Sequence, residues 1–161
     1  MRANGIYPRP CISSFLPYER HGGRRDSSHA HATKIGIDRP AFGNMIPGMQ
    51  MQAIVSMNNR SLATSGNYRK FRIDSLTGEK FVHTINPHTG FTENSNILAT
   101  SVLAETCMEA DGYATAFMAM RLEDSKKLLL ESPELEGYII YLGEEGETRE
   151  YMTPGFEALV Q

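Results

Sequence analysis

From Ile35 onward, short apolar runs alternate with Gly, Pro, Asn and Ser punctuation, and their spacing predicts strands more often than helices. Ile35–Asp38 is a short strand stopped by Arg39-Pro40, and residues 39–50 form a Pro/Gly loop. Met51, Ala53, Val55 and Met57 recur at every second position, so they share one face of a strand that ends at Asn58-Asn59. Ser61–Ser65 and Asn67–Ile73 read as strands around Gly66, and Ser75-Leu76-Thr77-Gly78 as a turn into a strand at Lys80–Ile85. Asn86–Gly90 must be a loop, because Pro87 cannot donate to a ladder and Gly90 tolerates unusual backbone angles. Ile97–Leu103 is the next strand.

Two helices follow. Thr106 and Glu109 have the spacing of a capping box, which predicts a helix over Thr106–Met120. A second helix over about Glu123–Glu131 stops ahead of Pro133. Gly137–Leu142 and Thr148–Met152 flank the polar turn Gly143–Glu147 as a hairpin, and Thr153–Gln161 reads as a turn with a short tail. No internal repeat is visible. Strands in tight succession with one helix pair predict an α+β fold with a largely antiparallel sheet.

Residues 8–34 break this pattern. Pro, Gly, Ser, His and Arg dominate and no period persists, so the segment reads as loop or disordered. The chain therefore divides into an irregular, basic segment 1–34 and a folded part 35–161. Residues 1–34 hold six basic side chains against two acidic ones, a net +4, which leaves ten basic and 17 acidic in the remaining 127, a net −7. An acidic body argues against nucleic acid as a partner, since phosphate binding needs clustered Lys and Arg. His21, His29 and His31 in the basic segment read as solvated side chains rather than as a metal site.

With 161 residues, 40% hydrophobic and 22% charged, the chain suits one globular domain with its own core. No apolar run approaches the roughly 20 residues of a membrane-spanning helix. Met1–Arg25 has no continuous apolar stretch of signal-peptide type. Cys11 and Cys107 are too few for a disulfide scaffold or a structural zinc site.

Three clusters carry candidate chemistry. Asp111 and Thr115 stand one turn apart on the predicted helix, on a face that Met108 and Met118 extend and that is otherwise read as apolar. A carboxylate there needs a partner, and an Asp with a Thr hydroxyl offers two oxygens to Mg²⁺. The same spacing also arises from an Asp favoured by the helix dipole and a Thr bonded back to its own helix. His83 ends a strand before the Pro/Gly loop, as a general base, a phosphate contact, or a prop of the turn. Ala63–Tyr68 is a small-residue bend, either an approach for a ligand or a plain bulge.

Taken together, these segments resemble the FAD:protein FMN transferases, the ApbE family. The resemblance is carried by Ala63–Tyr68, His83-Thr84-Ile85-Asn86-Pro87-His88-Thr89-Gly90 and Thr106-Cys107-Met108-Glu109-Ala110-Asp111-Gly112-Tyr113-Ala114-Thr115, in that order, with Ile35–Pro40 ahead of them. It runs from about Ile35 to the C-terminus. It implies an ApbE-like fold. It also implies Mg²⁺-dependent transfer of FMN from FAD to a Thr or Ser hydroxyl of a target protein, with release of AMP. Targets of the family include subunits of membrane redox complexes. By the resemblance, Asp111 and Thr115 are Mg²⁺ ligands, Ile85 lies against FAD, Thr64 and Ser65 join the FAD site, and His83 is the candidate catalytic base. Asn86 and Ala114 stand where many or some members carry carboxylates.

The family is longer, and its preceding half supplies a glycine- and lysine-containing segment with further FAD contacts. The expectation is thus an incomplete domain with impaired transfer, because catalysis by positioning is lost with small misplacements. The alternative expectation is a non-catalytic α+β fragment or interaction module that keeps only the signature. The family usually works outside the cytoplasm, and no localisation is legible in this chain.

Overall fold

The computed structural model describes residues 12–13, 33–40, 50–66, 71–73, 80–82, 90 and 95–161. Its central element is β7 (Ile97–Ala104), buried at all eight positions. A strand covered on both faces needs no polar side, which is why Ile-Leu-Ala-Thr-Ser-Val-Leu-Ala shows no alternation. Antiparallel β4 (Ser61–Gly66) and β8 (Glu136–Leu142) flank it, and β9 (Thr148–Met152) pairs antiparallel with β8. The two-residue β1 (Ile12–Ser13) runs parallel to Leu62-Ala63, which completes the order β1-β4-β7-β8-β9. β2 (Thr33–Asp38) with β3 (Met51–Met57), and β5 (Phe71–Ile73) with β6 (Lys80–Val82), form two further antiparallel pairs. The fold is α+β and largely antiparallel, as the pattern predicts.

Three layers result. On one face of the large sheet lie α1 (Cys107–Met118) and α2 (Leu122–Glu131), with Ala110, Ala114, Phe117 and Leu129 packed on Ala63, Val102 and Ile139. On the other lie β2, β3 and α3 (Pro154–Glu157), where Ile35, Ile37, Val55 and Phe156 meet Leu62, Leu103, Tyr138 and Ile140. The predicted Met51–Met57 strand is observed end to end, and Ala53, Val55 and Met57 form its buried face. Asn59 turns the chain after it with φ +51°, a conformation Asn tolerates.

Three details differ from the pattern. Ile12–Ser13, within the segment read as loop, pairs with β4 because that edge offers free backbone groups. α1 stops at Met118, two residues early, where the Ala119 N–H turns back to the Ala116 carbonyl at 2.9 Å. No Gly or Pro marks that stop. The C-terminal tail is also ordered: Pro154 opens α3 at its first turn, and Leu159 and Gln161 bond to Ser56 and Ile54 of β3. The strands predicted over Asn67–Ile73 and Lys80–Ile85 are seen as Phe71–Ile73 and Lys80–Val82, with 67–70 and 83–85 outside the described residues.

The capping box is present in both directions. The Glu109 N–H donates to Thr106 Oγ1 at 3.2 Å and the Thr106 N–H to Glu109 Oε2 at 3.1 Å. Thr106→Ala is expected to destabilise the fold by about 1 kcal/mol, read from the urea midpoint.

Tyr138 lies in the core beside Phe156, with ring centroids 5.6 Å apart. Burial, and then the nearby Glu150 carboxylate, push its phenol well above the ordinary range. The folded chain therefore keeps a proton that the unfolded chain releases above about pH 10. Stability linked to Tyr138 is complete below that pH and falls as the pH rises. Tyr138→Phe is expected to flatten this alkaline loss in denaturation measured between neutral pH and pH 11.

Candidate metal centre

The geometry of α1 follows from β4. Cys107 Sγ donates to Ser61 Oγ at 3.4 Å, and eight residues on, Thr115 Oγ1 lies 3.3 Å from Ser65 Oγ. Eight helical residues rise about 12 Å, and the four residues from Ser61 to Ser65 advance about 13 Å along a strand. Helix and strand thus run side by side in matched register, with a side-chain contact at each end.

Small residues permit the close approach. Ala110 and Ala114 are fully buried against the sheet, where Ala63 and Ala104 meet them. The exposed side of α1 carries Met108, Asp111, Gly112 and, at its edge toward β4, Thr115, with Met108 82% exposed. This corrects the reading of the Asp111 face as apolar. Met108 is outside and the alanines are inside, because a helix pressed onto a sheet needs small side chains at the contact. Met118, placed on the same face by the sequence, is buried.

β4 divides its candidates between the two faces. Ser65 follows Ala63 onto the helix side and meets Thr115. Thr64 points to the other side, where its Oγ1 lies 2.7 Å from Ser101 Oγ, its cross-strand partner. Ser65, Asp111 and Thr115 are therefore brought onto the helix side, and Thr64 is not. His83 and Ile85 lie outside the described residues. Gly90, at the end of the predicted loop, has φ +73°, in the region that favours glycine.

Two residues were missed. Thr100 is fully buried and donates to the Ala114 carbonyl at 2.7 Å. Ser101 is buried and bonded to Thr64. The signal was present in the sequence, for a Thr-Ser pair within an apolar strand has to find hydrogen-bond partners.

Among the described residues, no three His, Cys, Asp or Glu side chains gather as a metal cluster. Among the described residues, Asp111, Thr115 and Ser65 give this face one carboxylate and two hydroxyls, all oxygen. That set suits a hard cation such as Mg²⁺, which takes one or two carboxylates and leaves positions for phosphates, and it does not suit zinc. Among the described residues, no helix is long and apolar enough to cross a membrane.

The family model described as "ApbE family" matches residues 20–139, starting ahead of Ile35, where the resemblance is first legible. The FAD:protein FMN transferase of Escherichia coli K12 is 31% identical over 112 residues, covering 68% of this chain and 30% of that protein. Its counterpart in Haemophilus influenzae is 32% identical over 113 residues, 70% of this chain and 31% of that protein. The solved flavin transferase ApbE of Vibrio cholerae superposes with a TM-score of 0.60 at 28% identity, over 80% of this chain and 38% of that one. An ApbE protein of Thermotoga maritima has the same fold, with a TM-score of 0.63 at 22% identity, over 81% of this chain and 39% of that one. The chain thus spans about a third of the length of the relatives it matches. Through the match over residues 20–139, it belongs to the ApbE family.

Proposed function

We propose that this chain binds FAD with Mg²⁺ and serves the transfer of FMN to a Thr or Ser hydroxyl of a target protein, by resemblance a redox-complex subunit, with release of AMP. The observation that carries this reading is the contact of Ser65 with Thr115, on the exposed face of α1 that also bears Asp111. It joins the small-residue bend to the candidate metal helix at one corner of the described residues. The similarity to proteins named FAD:protein FMN transferase supports the choice of ligand.

Asp111 and Thr115 would hold the ion. When bound, Mg²⁺ offsets the negative charge on the diphosphate oxygens. Asp111 contributes the negative charge that draws a divalent ion to this face, and Thr115 a neutral oxygen one turn away. Ile85 offers an apolar contact to FAD. His83 accepts the proton of the incoming hydroxyl. The bond that forms joins this hydroxyl oxygen to the FMN-side phosphorus, and the bond that breaks joins that phosphorus to the oxygen leaving with AMP.

Losing an outer partner of a metal ligand lowers affinity about 10- to 100-fold, so loss of a ligand costs at least that. Asp111→Ala is expected to reduce Mg²⁺-dependent FAD binding by at least this factor, and Thr115→Ala by less, as followed by flavin fluorescence. AMP release with a Thr-containing acceptor peptide then tests transfer. Unchanged Mg²⁺ affinity in Asp111→Ala would falsify the metal assignment. Flavin binding without AMP release favours the alternative, a non-catalytic module.

A further inference from the structure

Two neighbouring strands grip one point of α1. Ser65 of β4 and Thr100 of β7 are directly paired across the sheet, and both reach toward the helix. Thr100 Oγ1 donates to the Ala114 carbonyl at 2.7 Å, and Ser65 Oγ meets the hydroxyl of the next residue, Thr115, at 3.3 Å. The first contact is fully buried and the second is at the rim. Directly opposed residues of an antiparallel pair stand about 5 Å apart, so the two contacts fall on successive residues of a single turn.

The contact at Thr115 decides where its hydroxyl points. A helical Thr divides between two side-chain rotamers, because its hydroxyl can also bond back to a carbonyl of the preceding turn. Ser125 of α2 shows such a back-bond, donating to the Arg121 carbonyl at 3.1 Å. Thr115 instead meets an oxygen of the sheet. If Thr115 donates its single hydroxyl hydrogen to Ser65, both of its lone pairs stay available as acceptors.

We propose that Ser65 is a positioning residue, which with its cross-strand neighbour Thr100 holds the Thr115 hydroxyl in one rotamer with its lone pairs turned to a cation shared with Asp111. The inference rests on the metal reading given above for Asp111 and Thr115. It adds a distinct role for Ser65, which acts through Thr115. An outer partner of this kind orients a ligand and raises its basicity, and its removal lowers metal affinity about 10-fold or more. Thr100 keeps the backbone of that turn in place, and Ser65 sets the side chain.

The test has two readouts on the full chain. In the metal-free chain, three-bond couplings of the Thr115 methyl carbon report its χ1. They are expected to show one rotamer in the wild type and averaging in Ser65→Ala. With FAD present, Mn²⁺ binding followed by electron paramagnetic resonance is expected to weaken about 10-fold in Ser65→Ala. Ser65→Thr, which keeps the hydroxyl, is expected to stay near wild type in both. An unaveraged Thr115 rotamer or wild-type Mn²⁺ affinity in Ser65→Ala overturns the role of Ser65; if Asp111→Ala still loses Mn²⁺, the metal reading survives. A wild-type chain that binds no Mn²⁺ overturns both.

Discussion

The candidate site depends on how closely α1 can lie on β4 and β7. Hydroxyl groups meet only at hydrogen-bond distance, so a helix held off by bulky side chains would leave Ser65 and Thr115 apart. Alanines set the spacing, with Ala110 and Ala114 from the helix against Ala63 and Ala104 from the sheet. Phe117 and Met118 fill the space beyond them. The same choice of small residues inward leaves α1 with little amphipathic contrast and sends Met108 into solvent.

Once the helix lies that close, registry follows from repeat lengths. Two turns of helix and four residues of strand cover nearly the same distance. Cys107 therefore stays at the level of Ser61, and Thr115 at the level of Ser65. The buried Thr100 bond stops the helix from turning about its axis, because a rotated helix would leave that hydroxyl without its acceptor in the core. The candidate metal face is thus oriented by contacts made on the hidden side. Among them is the hydroxyl of Thr100 on β7.

Much of the architecture could be read from the chain because local rules governed it. The capping box at Thr106 and Glu109, the stop ahead of Pro133 and the period-two run Met51–Met57 are each decided within a few residues. The helix face was misread for the opposite reason. Which side of α1 is buried depends on a sheet assembled from strands as far apart in the chain as β1 and β9, and the usual sign of burial, a bulky apolar side chain, is inverted there. α3 was missed because four residues around Pro154 have no periodicity, and they are ordered by Phe156 entering a core built by β2, β3 and β8.

The sequence by itself determined the order of β2 to β9 with α1 and α2 among them, the α+β class and the separation of Asp111 from Thr115, which one helical turn fixes. It also carried the family resemblance, which is a matter of motif order. Tertiary structure alone decided that Ser65 rather than Thr64 faces the helix, that Thr115 meets Ser65, and that Thr100 and Ser101 spend their hydroxyls inside the molecule. Those outcomes depend on strand register and on what covers each face of the sheet. Both are set by contacts between segments far apart in the chain, which no local pattern encodes.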